Sequence, residues 1–217
     1  MSARTNLKKF LPSIYKWIAI AFTIVLSFVY GTFQPNAYVK GKIVHAIEQD
    51  IVETAYSFGL HQPEFVYNTD ETFIIALKQC IDFVNFKTEP SKRVPSAIII
   101  GMAGIESGWG TSRFAVEGNN LFGIRTWDSE TPQLKPLDLP NASFGVKVYK
   151  TKCMSVQDMI DTINTHPAYK EFRKERSRQY SDGDWNYRQL LERLDAWSTN
   201  PKYAGIVFDA IITRQLP

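Results

Sequence analysis

The chain has 217 residues, enough for one globular domain with an appendage, and its 44% hydrophobic content can fill a packed core. Its 25 basic and 22 acidic residues give a net charge of +3, but Arg4, Lys8, Lys9 and Lys16 all fall within the first 16 residues, leaving the rest close to neutral. A near-neutral body lacks the field needed to neutralise a phosphate backbone, which argues against a nucleic-acid partner.

Residues 1–16 read as a basic, cytoplasmic amino terminus, and no charged residue occurs from Trp17 to Val39. The apolar heart of that run, WIAIAFTIVLSFVYG, predicts a membrane anchor or signal segment over 17–38. No clean A-x-A-like cleavage site follows, so an uncleaved anchor is the preferred reading. Basic residues ahead of the run put everything after about Tyr38 across the membrane. A cleaved signal peptide would leave the domain in the same compartment. Cys80 and Cys153 match no metal or redox spacing; an oxidising compartment would permit a disulfide, but buried free thiols are the preferred reading.

Past the anchor, residues 39–217 read as one mainly α domain with a small β-lobe. Ile43, Val44, Ile47, Ile51, Val52 and Ala55 recur at helical spacing before Gly59. The same period runs from Asp70 to Phe86. Pro95 opens a third helix, carrying Ile98, Met102 and Ile105, in which Gly101 and Gly104 permit close approach of a neighbour. Helical character fails from Gly118 to Tyr149, where Phe122 to Trp127 and Phe144 to Tyr149 read as strands joined by a long polar loop. Helices resume over Ser155 to Asn164, Pro167 to Arg178, Asp184 to Trp197 and Pro201 to Thr213. The basic cluster Lys170, Arg173, Lys174, Arg176 and Arg178, interleaved with Glu171 and Glu175, reads as a solvated helix face.

Chemistry concentrates in IIIGMAGIESGWGTSRFAVEGNNLFG, Ile98 to Gly123, which sets one carboxylate, Glu106, at the end of an apolar helix. Burial and the negative end of the helix dipole both disfavour its ionised form. A carboxylic acid kept protonated near neutral pH can donate a proton to a leaving glycosidic oxygen. The three histidines show no ligand spacing, and neither a metal nor a cofactor is expected.

The segment ESGWGTSRFAVEGNNLFGI resembles the signature of the bacterial glucosaminidase-domain (mannosyl-glycoprotein endo-beta-N-acetylglucosaminidase-like) cell-wall hydrolases, Bax-type proteins in particular. NTHPAYKEFR (Asn164 to Arg173) and NPKYAGIV (Asn200 to Val207) resemble family segments in the same order, so the similarity spans residues 94–213. It implies a lysozyme-like fold and cleavage of peptidoglycan glycan strands, with Glu106 as general acid. Together with the anchor, it puts the domain on the periplasmic or wall side of a bacterial inner membrane. By the same resemblance Tyr203 contacts the N-acetylated sugar, while Asn119, Asn120, Phe122 and Gly123 close the cleft and Trp109 either stacks on a sugar or wedges under the catalytic helix. Trp109, Asn120 and Phe122 are thus candidate substrate-binding residues beside Tyr203.

A glycosidase commonly opposes its acid with a second carboxylate. Glu130 is the first candidate and Asp128 the second, with Asp138 in the same segment; the substrate's own N-acetyl group could replace all three. A lytic transglycosylase, an amidase-type activity and a non-catalytic wall-binding module remain alternatives. The sequence does not set the oligomeric state.

Overall fold

The computed structural model describes a helical backbone over Ala3–Phe33, separate helical positions between Val39 and Ser57, and every residue from Gln62 to Pro217. Two compact units result, Met1–Thr54 and Ala55–Pro217. In the first, helix α1 (Ala3–Phe33) exposes Trp17, Ile18, Phe22 and Ile24. Among the described residues no helix is long and apolar enough to cross a membrane, so the anchor expected over 17–38 finds no support. The apolar heart from Trp17 to Gly31 rises only about 22 Å at 1.5 Å per residue, short of a hydrocarbon core of about 30 Å. Residues 34–38 lie outside the described residues. The helix expected from Ile43 is helical at Ile43, Ala46, Ile47, Asp50, Glu53 and Thr54, whereas Val44, Ile51, Val52, Ala55 and Gly59 lie outside the described residues.

In the second unit, α2 (Asp70–Phe86) has the bounds that its periodicity predicts. Thr69 caps it: the Thr69 hydroxyl accepts from the Thr72 amide at 3.3 Å and the Thr72 hydroxyl accepts from the Thr69 amide at 3.0 Å. Two otherwise unpaired donors are satisfied reciprocally, and Asp70 and Glu71 sit at the positive end of the helix dipole. Phe73, Leu77, Cys80, Ile81 and Val84 form its buried stripe.

Helix α3 (Ser96–Ser107) is buried continuously from Ala97 to Gly104, as expected of a central helix with apolar residues all round. Its neighbours come close at both glycines. A β-carbon at Gly101 would stand 3.0 Å from Val207 Cγ1 and 3.1 Å from Ile211 Cγ1, both on α8 (Tyr203–Thr213). At Gly104 it would strike the Trp109 ring at 2.6 Å. Gly108 caps the helix at φ +58°, and Trp109 and Gly110 follow at φ 54° and 87°, so the chain leaves α3 through three successive left-handed residues. The short α4 (Arg113–Glu117), started by a Ser112 cap, was not expected from the sequence.

The β-lobe holds β1 (Arg125–Thr126), β2 (Gln133–Leu134) and β3 (Gly145–Lys147), antiparallel in the order β1-β3-β2. Arg125 pairs with Val146, Thr126 with Gly145, and Gln133 with Lys147. Two strands lie within the expected segments, while β2 falls inside the stretch expected to be loop. At two residues it is too short to show an alternating pattern.

Helix α5 (Lys152–Thr165) packs on α2, followed by α6 (Lys170–Asp182), α7 (Tyr187–Leu191) and α8. The single helix expected from Asp184 to Trp197 is instead α7 plus a 3₁₀ turn at Asp195–Trp197. Cys80 of α2 and Cys153 of α5 form a disulfide with their Cα atoms 5.1 Å apart, correcting the free-thiol reading. The pairing spans 73 residues and depends on tertiary packing alone. The solvated basic face is also corrected in part. Arg176 is 3% exposed, lies against the Phe172 ring and donates to the Lys92 carbonyl at 2.9 Å, while Arg173 donates to the carbonyls of Ile163 and His166.

Candidate active site

Glu106 occupies the last turn of α3, one residue before Ser107 closes that helix. Ser107 is buried and ties the exit together: its hydroxyl donates to the Ala103 carbonyl at 2.5 Å and accepts from the Gly110 amide at 2.8 Å. The left-handed turn then carries the chain away and leaves the Glu106 side chain partly open. Opposite stands the Gly123 turn at φ +64°, where a β-carbon would lie 3.9 Å from Glu106 Oε2. Glycine at this position meets the left-handed backbone and keeps space open beside the acid.

Burial pushes the Glu106 carboxyl above the usual carboxylate range, while the nearby Tyr203 hydroxyl, the Trp197 indole and the positive charge of Arg125 pull it part of the way back. A carboxylic acid surrounded by donors of this kind can hold a proton and, after losing it, still be stabilised as an anion. Tyr203 begins α8, is 7% exposed, and places its hydroxyl where burial and the Glu106 carboxylate both raise its pKa. That hydroxyl is buried without a hydrogen bond of acceptable geometry. A buried donor close to the acid but held in no well-aligned hydrogen bond can turn to a substrate acceptor.

Trp197 has no counterpart among the residues expected from the sequence. It lies in the 3₁₀ turn Asp195–Trp197, packed edge-on against Phe122 with centroids 6.4 Å apart and tilted against Tyr169 at 6.0 Å. Its position three residues ahead of the matched segment NPKYAGIV, in a polar stretch with no apolar period of its own, was the available signal. Arg125, two residues beyond Gly123, was also passed over.

The remaining expected residues separate by geometry. Phe122 is 2% exposed and packs edge-on against Trp197, so its ring belongs to the core rather than to an open binding surface. Asn120 is 1% exposed and fully committed: Nδ2 donates to the carbonyls of Ile124 and Lys147, and Oδ1 accepts from the amides of Phe122 and Ile124. It holds the turn that presents Gly123. Asn119, at φ 51°, ties the same turn to the Tyr149 carbonyl at 3.0 Å.

Trp109 packs its ring against Gly104, with the Arg214 guanidinium 3.8 Å from its centroid. Arg214 is itself paired with Asp70 at 2.7 Å. With its ring occupied in this way, Trp109 braces α3 and does not present a surface to a sugar.

Asp128 and Glu130 lie in the loop between β1 and β2. Asp128 accepts from the Glu130 amide at 3.0 Å and the Thr131 hydroxyl at 2.9 Å, bonds that hold its carboxyl below the usual range. Its oxygens shape a turn. Glu130 is exposed, with the Ser129 hydroxyl 3.5 Å away, and Asp138 is exposed as well. None of the three is among the groups that shift Glu106.

A helical body and a short three-stranded lobe thus meet at a raised carboxylic acid, Glu106, with Tyr203 and Trp197 beside it. The chain belongs to the mannosyl-glycoprotein endo-beta-N-acetylglucosaminidase family, whose model matches residues 87–215. This membership bears out the resemblance carried by the Glu106 segment. It is 32% identical over 110 residues to the protein Bax of Escherichia coli K12, a match covering 50% of this chain and 38% of that protein. The catalytic domain of the autolysin Auto from Listeria monocytogenes shares its fold, at a TM-score of 0.52 and 19% identity over 76% of this chain and 94% of that domain.

Proposed function

We propose that the protein cleaves the glycan strand of peptidoglycan as an N-acetylglucosaminidase, with Glu106 as general acid. The observation that carries the reading is the raised carboxyl of Glu106 at the end of a buried helix, facing the Gly123 turn and the unpartnered Tyr203 hydroxyl. The family supports it, and so does a fold shared with the catalytic domain of an autolysin.

In this mechanism protonated Glu106 gives its proton to the glycosidic oxygen as the bond to the anomeric carbon breaks. The developing positive charge on the sugar is met by the carbonyl oxygen of the substrate's own 2-acetamido group. Tyr203 donates its free hydroxyl to that acetamido group and orients it. The Glu106 carboxylate then takes a proton from the water that opens the cyclic intermediate, restoring the acid. A one-carboxylate course fits the site because Asp128 is engaged by the Glu130 amide and the Thr131 hydroxyl, and Glu130 and Asp138 are exposed loop carboxylates. The same observation favours a second reading, lytic transglycosylation, in which a sugar hydroxyl displaces the leaving group.

The disulfide between Cys80 and Cys153 supports a location on the wall side of the membrane, where oxidised cysteines persist. Digestion of purified peptidoglycan by the full chain, with mass spectrometry of the fragments, tests the assignment. Reducing N-acetylglucosamine ends are expected, anhydro ends would establish the transglycosylase, and amide cleavage without new sugar ends would overturn both.

A further inference from the structure

The β-lobe carries a group of side chains to which the proposed reaction at Glu106 assigns no bond-making or proton-transfer step. Along β1 and the residue after it, Arg125 and Trp127 are exposed while Thr126 between them is buried, so the first two share one face of the lobe. Phe144 enters β3 opposite them. The Arg125 guanidinium lies 4.4 Å from its centroid, and the Trp127 ring lies 6.0 Å away. Trp127 is 68% exposed, a large cost for an indole that serves no packing role.

Arg125 is held in place but not neutralised. Arg113, Arg178, Arg188 and Arg214 are each paired with a carboxylate, and Arg125 takes part in none of the ion pairs among the described residues. Its one resolved side-chain contact is the Phe144 ring, which fixes the plane of the guanidinium and leaves its fork of donors unused. It stands two residues past Gly123, which borders the acid, and its charge reaches Glu106. A stacked, unpaired fork next to an exposed indole meets two requirements at once, a carboxylate for the fork and a sugar face for the ring.

We propose that Arg125, Phe144 and Trp127 form a subsite for a carboxylate-bearing amino sugar, in which Arg125 pairs with the substrate carboxylate and Trp127 carries the face of the ring. This rests on the glycan-cleaving reading of Glu106 and narrows it. The preferred strand carries carboxylates alongside its N-acetyl groups, as peptidoglycan does and an uncharged N-acetylglucosamine polymer does not. The carboxylate has two sources in such a strand, the lactyl ether of a peptide-free muramic acid and the stem peptide.

The test measures binding to the full chain carrying Glu106→Gln, so that substrate survives and the charge on residue 106 is constant. Three ligands are titrated calorimetrically: a chitooligosaccharide, a peptide-free peptidoglycan oligosaccharide of equal length, and the same oligosaccharide with its stem peptides. Adding Arg125→Gln is expected to weaken one or both carboxylate-bearing ligands roughly ten- to hundred-fold more than chitooligosaccharide, the range for a lost charge-assisted hydrogen bond. Arg125→Lys should recover part of the loss, and the difference should shrink in high salt. Selective loss on the peptide-free strand assigns the lactyl carboxylate, and loss confined to the peptide-bearing strand assigns the stem. Equal weakening of all three ligands, or none, overturns the subsite. Fragment release from peptidoglycan by the unsubstituted chain is measured in parallel. Its absence overturns the hydrolase reading, whereas cleavage without Arg125-dependent selectivity overturns the subsite alone.

Discussion

Replacing Tyr203 by phenylalanine separates what the site contributes to folding from what it contributes to chemistry. The hydroxyl is buried, in a residue only 7% exposed, and has no hydrogen bond of acceptable geometry. Burying a hydroxyl without a partner costs about 1–3 kcal/mol, so removing it while keeping the ring should return part of that cost. Allowing for lost contacts around the oxygen, a gain of about 1 kcal/mol is expected, which raises the melting temperature by roughly 2–4 °C for a chain of this size. In catalysis the same hydroxyl is the donor left free for the acetamido group, so kcat/KM on peptidoglycan should fall about ten- to hundred-fold. Thermal unfolding followed by circular dichroism and a reducing-end assay on one preparation read both effects. A melting temperature lowered by several degrees would refute the reasoning, because it would mean that the hydroxyl already holds the resting structure together.

Glu106→Gln carries a signature in stability as well as in rate. Because burial raises the folded-state pKa, ionising Glu106 costs folding energy, so the Gln variant should be more stable than the parent at neutral pH. The gap should open as pH rises from about 4.3, the unfolded value, through the raised folded one, and close below about pH 4; urea unfolding at several pH values shows whether it does. Gly104→Ala drives a methyl into a Trp109 ring that Arg214 also contacts, and after about 1 kcal/mol of improved helix propensity it should still destabilise by about 1–2 kcal/mol in urea. Cys80→Ser with Cys153→Ser should cost about 2–4 kcal/mol and make the urea midpoint indifferent to reductant, which lowers the parent's.

The helices that could be located in the sequence are those whose own residues specify them. α2 was legible to the residue because its apolar stripe through Phe73, Leu77, Ile81 and Val84 keeps a helical period up to Phe86. α3 was legible because nothing but apolar and small residues fills its first ten positions. β2 and the Cys80–Cys153 bond were not, since each exists only because distant segments meet. The 3₁₀ turn bearing Trp197 has too few residues to express a period. Within the site, Glu106 and Tyr203 could be named from sequence because a family resemblance fixed them. Trp109 could not be placed, because its neighbour Arg214 lies over a hundred residues away, and the direction of an indole follows from packing rather than from local pattern.

The central claim, that one carboxylic acid carries the reaction, is tested most directly by comparing Glu106→Gln, Asp128→Asn and Glu130→Gln on the same peptidoglycan under initial-rate conditions. Glu106→Gln should lose at least a thousandfold in release of reducing ends, the upper part of the ~10²–10⁴ range for a general acid, while Asp128→Asn and Glu130→Gln stay within about threefold of the parent, as expected for exposed loop carboxylates. Substantial cleavage by Glu106→Gln, or a loss as deep in either loop variant, would contradict the account.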